Sequence, residues 1–359
     1  MTLMNSSNAL NWGVLGTGNI ARLFAAALQH SSAGRLAAVA SRSPILTDVP
    51  EFAGARGYDS YDKLLADRAV DAVYIATPHT THCEWTIKAS EAGKHVLCEK
   101  PIALNAAEAE RMFATATRYG VVLMEAFMYR THPQTEKLVQ LIREGTVGKV
   151  ELIHIEIGFG RKYDAQSRLF DPTLGGGAIL DIGCYAMSMA RLIAGAAAGT
   201  RVAEPEQIHP STRRAPNGVD AQAYAIVDFP ADITAVIAAP LNLVQSRGVR
   251  IHGEAGEIHV PSPWLCTGRT GGRSSIVLTP RSGEKVEIPF ETTDWLYAIE
   301  ARAFHDAVRA GAVSAPAPNA ADTLGNMRAL DTWRERAGIA YPSEQMMPDD
   351  VLLVPPLVR

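Results

Sequence analysis

Two short stretches carry side chains suited to chemistry. "HVLCEKPIALN" ends an apolar run on Glu99 and Lys100, and Pro101 follows at once. A lysine at the end of a buried strand can polarise a carbonyl or lower the pKa of a neighbouring hydroxyl. The proline fixes the backbone there, and a cis bond before it would turn Lys100 in an unusual direction. "GGGAILDIGCYAMSMARLIAG" reads as a helix. Regular α spacing puts Asp181, Tyr185 and Ser188 on one face, with Ile182, Ala186, Met189 and Ile193 on the packed face. An acid and a phenol on so apolar a helix need partners or a cavity to line. The triple glycine ahead of them lets a ligand or another backbone come close. The plain alternatives are a surface lysine in a turn and a structural hydrogen bond from Tyr185.

These groups act together only if the fold brings them together. The first third of the chain alternates strand and helix signals. "NWGVLG", "RLAAVASRS", "VDAVYIATP", "HVLCEKP" and "VVLMEAF" read as strands, with helical stretches between them. That order implies right-handed crossovers and a parallel sheet. Ligands of such sheets bind at the carboxyl ends of the strands, which is where Glu99 and Lys100 stand.

"GVLGTGNIA" joins the first strand to the first helix. Gly16 allows the tight turn, Gly18 lets a pyrophosphate approach the backbone, and Ala21 permits close helix packing. The helix N-terminus that follows offers free N–H groups to phosphate. At the end of the second strand, NAD sites usually carry an acid for the ribose hydroxyl. Here "AVASRS" has Ser41, Arg42 and Ser43 instead. Arg42 can pair with a 2′-phosphate, so NADP(H) is favoured over NAD(H).

Beyond residue 127 the pattern changes. "TEKLVQLIREG" is helical, then strands come in succession: "ELIHIEIGF", "AQAYAIVDFP", "ITAVIAA", "GVRIHGEAGEIHV", "SSIVLTP" and "KVEIPF". Two helical stretches close the chain, "YAIEARAFHDAVRAG" before the Pro/Ala connector "SAPAPNA" and "NAADTLGNMRALDTWRERAG" at its end. The reading is an α/β protein of two domains. Residues 1–127 form a Rossmann dinucleotide-binding domain. Residues 128–359 form an α/β domain with a large, mostly antiparallel open sheet, which binds substrate and mediates assembly. The final helices are expected to pack back on the first domain.

The 359 residues have ordinary soluble composition, and a net charge of −4 offers no basic patch for nucleic acid. No apolar run approaches the ~20 residues of a membrane span, and no secretory signal is visible at the start. The four cysteines lack metal-ligand spacing, so no metal is expected and a reduced, cytoplasmic protein is.

"GTGNIA", "CEKP" and "GGGAILDIGCYA", in this order, resemble the glucose–fructose oxidoreductase, inositol dehydrogenase and rhizopine catabolism (Gfo/Idh/MocA) family. "LMEAFMYRTHPQ" is similar to the branch that holds dimeric dihydrodiol dehydrogenase and NADP-dependent D-xylose 1-dehydrogenase. The resemblance implies an oxidoreductase that moves hydride between NADP(H) and a sugar, polyol or related compound. It implies cofactor contacts from Gly16, Gly18, Asn19 and Ile20, from Ser41 and Arg42, and from Thr77, Pro78 and His79. Glu99, Lys100 and Pro101 complete that set. Lys100 matches the lysine of the family's EKP motif, Tyr185 its proton donor or acceptor, and Asp181 an acid that contacts substrate hydroxyls. His82 matches a substrate-side histidine. Met128 stands where the mammalian-type dihydrodiol branch has tryptophan, which favours a sugar over a flat aromatic diol. In the mechanism this suggests, Lys100 lowers the Tyr185 pKa so that the phenol can act as a base. A homodimer or homotetramer built on the open sheet is expected. Two other functions share the fold: NAD-dependent glycoside hydrolysis, and a non-catalytic cofactor-binding regulator. The acid-free strand end argues against the first. Lys100, Asp181 and Tyr185 together argue against the second.

Overall fold

A computed structural model describes residues 9–42, 49–312 and 317–345. Two sheets organise the chain. The first is built from β1 (Leu10–Leu15), β2 (Gly34–Ala40), β3 (Arg56–Tyr58), β4 (Ala72–Ile75), β5 (His95–Glu99) and β6 (Leu123–Ala126). Its order is β3-β2-β1-β4-β5-β6, and every pair is parallel. The order reverses at β1, so the switch point lies between β1 and β4, where the Gly16–Gly18 turn emerges. All four residues of β4 are buried, as a strand covered on both faces requires.

Helices α1 (Asn19–Leu28), α2 (Tyr61–Leu65), α3 (His82–Glu91) and α4 (Ala106–Tyr119) complete this half. Local chemistry sets the ends of α4. The Asn105 side chain accepts from the Glu108 N–H at 2.9 Å, Glu108 accepts from the Leu104 N–H at 3.1 Å, and Gly120 closes the helix at φ +65°.

The second half holds α5 (Pro133–Arg143), β7 (Val150–Glu156), α6 (Cys184–Ala197), β8 (Gln207–Arg214), β9 (Asp220–Phe229), β10 (Ile233–Pro240), β11 (Gly248–Gly253), β12 (Gly256–Val260), β13 (Gly272–Pro280) and β14 (Val286–Thr292). The eight strands run in the order β14-β13-β12-β11-β7-β10-β9-β8. Only β7 and β10 pair in parallel. Helix α6 covers one face of this sheet and is buried from Cys184 to Ala196. The helical stretch Pro172–Ala197 is, by length and composition, apolar enough to cross a membrane, which corrects the reading of the apolar runs. Its most apolar part is wholly buried inside the protein, as a core helix is.

Helices α7 (Leu296–Arg309) and α8 (Ala320–Arg336) return to the first sheet's side. Trp12 of β1 meets Phe304 of α7 at 5.2 Å, and the Ala106 N–H of α4 donates to Asp331 of α8 at 2.8 Å. Two strands escape the sequence pattern, β3 and β8. β3 has three residues. β8, "QIHPSTRR", is a polar edge strand in which only Ile208 is buried, so it shows no apolar alternation.

Candidate active site

Helix α1 starts at Gly18 with no side-chain cap and no acid in its first turn. Its N–H groups are therefore open to an anion. Gly16 has φ +102°, and a Cβ there would lie 2.7 Å from the Ala76 carbonyl, so the turn needs glycine. A Cβ on Gly18 would meet nothing within 4 Å. That open space, at a bare helix N-terminus, fits a pyrophosphate. The Thr17 hydroxyl reaches Ser41 at 3.3 Å, joining this turn to the end of β2. Arg42 follows there, exposed, while Ser43 lies outside the described residues.

Gly18, Asn19 and Ile20 line one end of a cleft of about 690 Å³ between the two sheets. Thr77, Pro78 and His79, after β4, and Glu99 and Lys100, at the end of β5, also line it. So do Met128, Asp181 and Tyr185 from the second half. The Lys100–Pro101 bond is cis. The Lys100 ammonium donates to the Asp181 carbonyl at 2.7 Å, lies 3.9 Å from that residue's Oδ1, and stands 4.7 Å from the centroid of the Tyr185 ring. An ammonium and a carboxylate 81 residues apart in sequence thus converge, with a phenol beside them.

The carrier of Asp181 is not a regular α-helix. Ile179–Gly183 is a π-helical turn that runs into α6. The wider turn shifts Asp181 relative to Tyr185, whereas Tyr185 and Ser188 both lie in the regular helix beyond it. Asp181 and Tyr185 reach the cleft, but Ser188 does not. Ser188 is buried and accepts from the Tyr129 hydroxyl at 2.8 Å and from Arg130 at 3.0 Å. The triple glycine also serves packing: a Cβ on Gly177 (φ +136°) would lie 2.1 Å from Asp220 Oδ1. The other Asp220 oxygen accepts the Ile179 N–H at 2.7 Å and so pins the start of the π turn.

Charge differs sharply within the site. Burial would raise the Asp181 carboxyl, but Lys100 and Arg168 outweigh it and hold it below the usual carboxylate range. Arg168 pairs with Asp181 Oδ1 at 3.0 Å. Tyr185 goes the other way. Burial first, then Glu99, Tyr297, Cys184 and Asp181, push its phenol well above its ordinary value. Lys100 faces the ring rather than the hydroxyl, so the expected lowering of Tyr185 by Lys100 does not occur here. Among the described residues the phenol donates to the Met128 thioether at 3.5 Å, a weak acceptor.

The histidines are neutral. Burial takes His79 down to about 3 and His82 down to about 4. His79 Nε2 lies 2.9 Å from the Gly175 carbonyl and ties the β4 loop to the second half. His82, 1% exposed, has Nδ1 at 3.0 Å from the Pro101 carbonyl and Nε2 at 2.9 Å from that of Thr77. Two carbonyls favour the cation, yet burial prevails, so the ring donates to one of them. His82 lines the cleft, and with both nitrogens engaged by backbone carbonyls it braces the loop that carries Lys100. Glu99 is raised by burial despite Lys100, and accepts from the Tyr74 hydroxyl and from the Lys100 N–H at 3.1 Å. Its side chain forms part of the wall.

The sequence pattern misses Arg168 and Tyr297. Arg168 opens a three-residue 3-10 turn and Tyr297 lies in α7, so neither sits in a motif. Among the described residues, no group of three or more His, Cys, Asp or Glu side chains is placed to hold a metal ion.

Residues 10–127 match the oxidoreductase family with an NAD-binding Rossmann fold, and residues 135–259 match the GFO/IDH/MocA C-terminal domain. The chain is 31% identical over 329 residues to a D-xylose 1-dehydrogenase (NADP⁺) of Haloferax volcanii, covering 91% of this chain and 97% of that one. It is 32% identical over 264 residues to human trans-1,2-dihydrobenzene-1,2-diol dehydrogenase, covering 72% and 76%. Among solved structures, a 3-ketoreductase of Actinomadura kijaniata, complexed with NADP and TDP-benzene, superposes with a TM-score of 0.79 at 26% identity, covering 91% and 98%. Both halves match, and relatives align along nearly the whole chain: the protein belongs to the Gfo/Idh/MocA family of dinucleotide-binding oxidoreductases.

Proposed function

We propose that this enzyme transfers hydride between NADP(H) and a carbon of a carbohydrate or polyol, interconverting a hydroxyl and a carbonyl. The observation that carries this reading is the convergence of Lys100, Asp181 and Tyr185 on a cleft that also opens onto the bare N-terminus of α1. The nicotinamide, when bound, supplies or accepts the hydride. Gly18–Ile20 would hold its pyrophosphate and Arg42 the 2′-phosphate of NADP(H). The xylose dehydrogenase and ketoreductase relatives, one named for NADP⁺ and one solved with NADP, support that preference.

The residues divide the remaining work. Lys100 has one ammonium proton on the Asp181 carbonyl and two more for a substrate oxygen. There it stabilises negative charge as the carbonyl is reduced. Tyr185, held as the neutral phenol, donates its proton to that oxygen. In oxidation Tyr185 must first lose its proton, and the phenolate then takes the substrate hydroxyl proton as hydride leaves the carbon. Asp181, held ionised, accepts from adjacent substrate hydroxyls and orients the reacting carbon.

The test is a screen of nicotinamide absorbance. NADP⁺ and NAD⁺ are offered with aldoses, inositols and trans-diols, and NADPH with keto-sugars and dicarbonyls. Turnover with a carbohydrate and NADP(H) is expected. No turnover across the panel, or preference for NAD⁺, would count against this reading.

The same proposal includes assembly through the open face of the second sheet. Val236 and Ile226 face each other across β10 and β9, 37% and 49% exposed, and an apolar pair on a broad sheet favours a cover. Sedimentation equilibrium should give a dimer or tetramer. The four cysteines are free and buried, in keeping with a cytoplasmic location, which cell fractionation would test.

A further inference from the structure

The outer part of the cleft is charged in a way that a neutral sugar does not explain. Five cationic side chains line the cleft: Lys100, Arg161, Arg168, Arg247 and Arg269. Only two carboxylates do, Glu99 and Asp181. Those two stand at the inner end, where Asp181 is paired with Lys100 and Arg168. Three arginines remain. In a chain of net charge −4, such a local excess is a concentrated positive field.

Arg161 and Arg247 are the two on the second sheet. β7 and β11 are antiparallel neighbours with Glu156 opposite Gly248, so the end of β7 and the start of β11 share one edge. Arg247 immediately precedes β11, and Arg161 lies five residues beyond β7 in an irregular segment whose Arg161 N–H donates to the Leu241 carbonyl at 2.8 Å. Arg247 Nε donates to the Gly158 carbonyl at 3.0 Å, and its guanidinium lies 5.4 Å from the Phe159 ring centroid. This fixes the head group beside an aromatic ring and leaves its other N–H donors free to turn outward. Among the described residues, neither arginine has a carboxylate partner. Both are exposed, and both line the same cleft as Lys100 and Tyr185.

A guanidinium fork matches the paired oxygens of phosphate and carboxylate. We infer that Arg161 and Arg247 form an anion subsite, and that the carbohydrate oxidised or reduced here carries a phosphate or carboxylate group remote from the reacting carbon. This rests on the hydride-transfer reading above. The cofactor's phosphates have other partners in that reading, at Gly18–Ile20 and Arg42 on the first sheet, so they do not account for this pair. Binding energy from the remote anion would orient the reacting carbon between Lys100 and Tyr185.

The experiment uses protein saturated with NADPH, so that the cofactor's own phosphate sites are filled. Inorganic phosphate is titrated calorimetrically. Saturable binding in the millimolar range is expected, with Arg161→Ala and Arg247→Ala each weaker by about 10- to 100-fold. NADPH affinity should be unchanged in both, which also shows that the variants are folded. Absence of phosphate binding, or binding untouched by both substitutions, overturns the inference. A kinetic arm separates the two anion sources by comparing D-glucose, D-glucose 6-phosphate and D-glucuronate. The anionic sugar that fits should show the lowest KM, raised by either substitution. A kcat/KM for D-glucose above both anionic sugars overturns the inference while hydride transfer stands. If no sugar turns over, the hydride-transfer reading fails, and the phosphate titration still decides the subsite.

Discussion

Two regions of this protein are built from nearly the same side chains and do different things. One is the corner of the cleft with Lys100, Asp181, Arg168 and Tyr185. The other is the buried cluster of Arg130, Asp322, Arg191, Tyr129 and Ser188. In the second, every charge is answered. Arg130 pairs with one Asp322 oxygen, Arg191 pairs with the other at 3.1 Å and with Glu204, and Ser188 takes Tyr129 and Arg130. Arg191 is 0% exposed. The cluster ties α6, α8 and the segment after β6 into one body. In the cleft, among the described residues, Lys100 uses one donor and the Tyr185 phenol has only a thioether. Unused hydrogen-bonding capacity beside a cavity separates the proposed catalytic corner from the buried cluster. The number of ionisable groups does not.

The largest effects should fall on turnover. Tyr185→Phe removes only the proton-transfer group and should lower kcat by about 10²–10⁴-fold, with NADPH affinity little changed. Lys100→Met should impair turnover at least as much. Steady-state kinetics with a deuterated substrate, showing that chemistry limits the rate, is the check. Wild-type kcat in Tyr185→Phe would falsify the division of roles proposed above. The structural cluster should respond in stability instead. Asp322→Ala leaves two buried guanidinium groups without their shared partner, a loss of about 3–5 kcal/mol. Urea unfolding would measure it, and a change below about 1 kcal/mol would show that the cluster is not what holds these elements together.

Arg42→Ala should weaken NADP(H) by roughly 1.5–3 kcal/mol and leave NAD(H) binding alone. Fluorescence titration of both cofactors reads the difference, and equal losses for both would argue against a 2′-phosphate contact. A pH-dependent effect on stability should come from Asp220. Burial lifts its carboxyl from 3.8 to about 7 even though the Ile179 N–H bond opposes this. A raised acid stabilises the fold fully below the unfolded carboxyl's titration, and that contribution is lost as pH rises through about 7. Asp220→Asn keeps an acceptor for Ile179 without the titration. Its melting temperature relative to wild type should therefore rise with pH between about 4 and about 7. A constant difference between the two proteins across that range would rule this out. The smallest effect belongs to an exposed pair: Asp59→Asn, which breaks Lys63–Asp59, should leave the urea unfolding midpoint nearly unchanged.

Where the sequence was legible, one local rule decided the outcome. The parallel sheet followed from alternating apolar runs and helices, because strands buried on both faces must be apolar. The Gly16–Gly18 turn followed from steric limits on a close backbone. Lys100 was legible because a charged residue at the end of a buried strand must reach either solvent or a ligand. β8 was not legible, since an edge strand has little to bury. Nor was the place of Ser188, because the Tyr129 and Arg130 side chains that engage it lie 59 and 58 residues away in sequence. Amino-acid order alone thus determined the nucleotide-binding half and named Lys100, Asp181 and Tyr185 as candidates. Tertiary structure decided their charge and company. Arg168 beside Asp181, the neutral Tyr185 phenol, and the arginines at the shared edge of β7 and β11 all depend on segments distant in sequence. Burial and Coulomb interactions act through space, and chain order does not record the distances that set them.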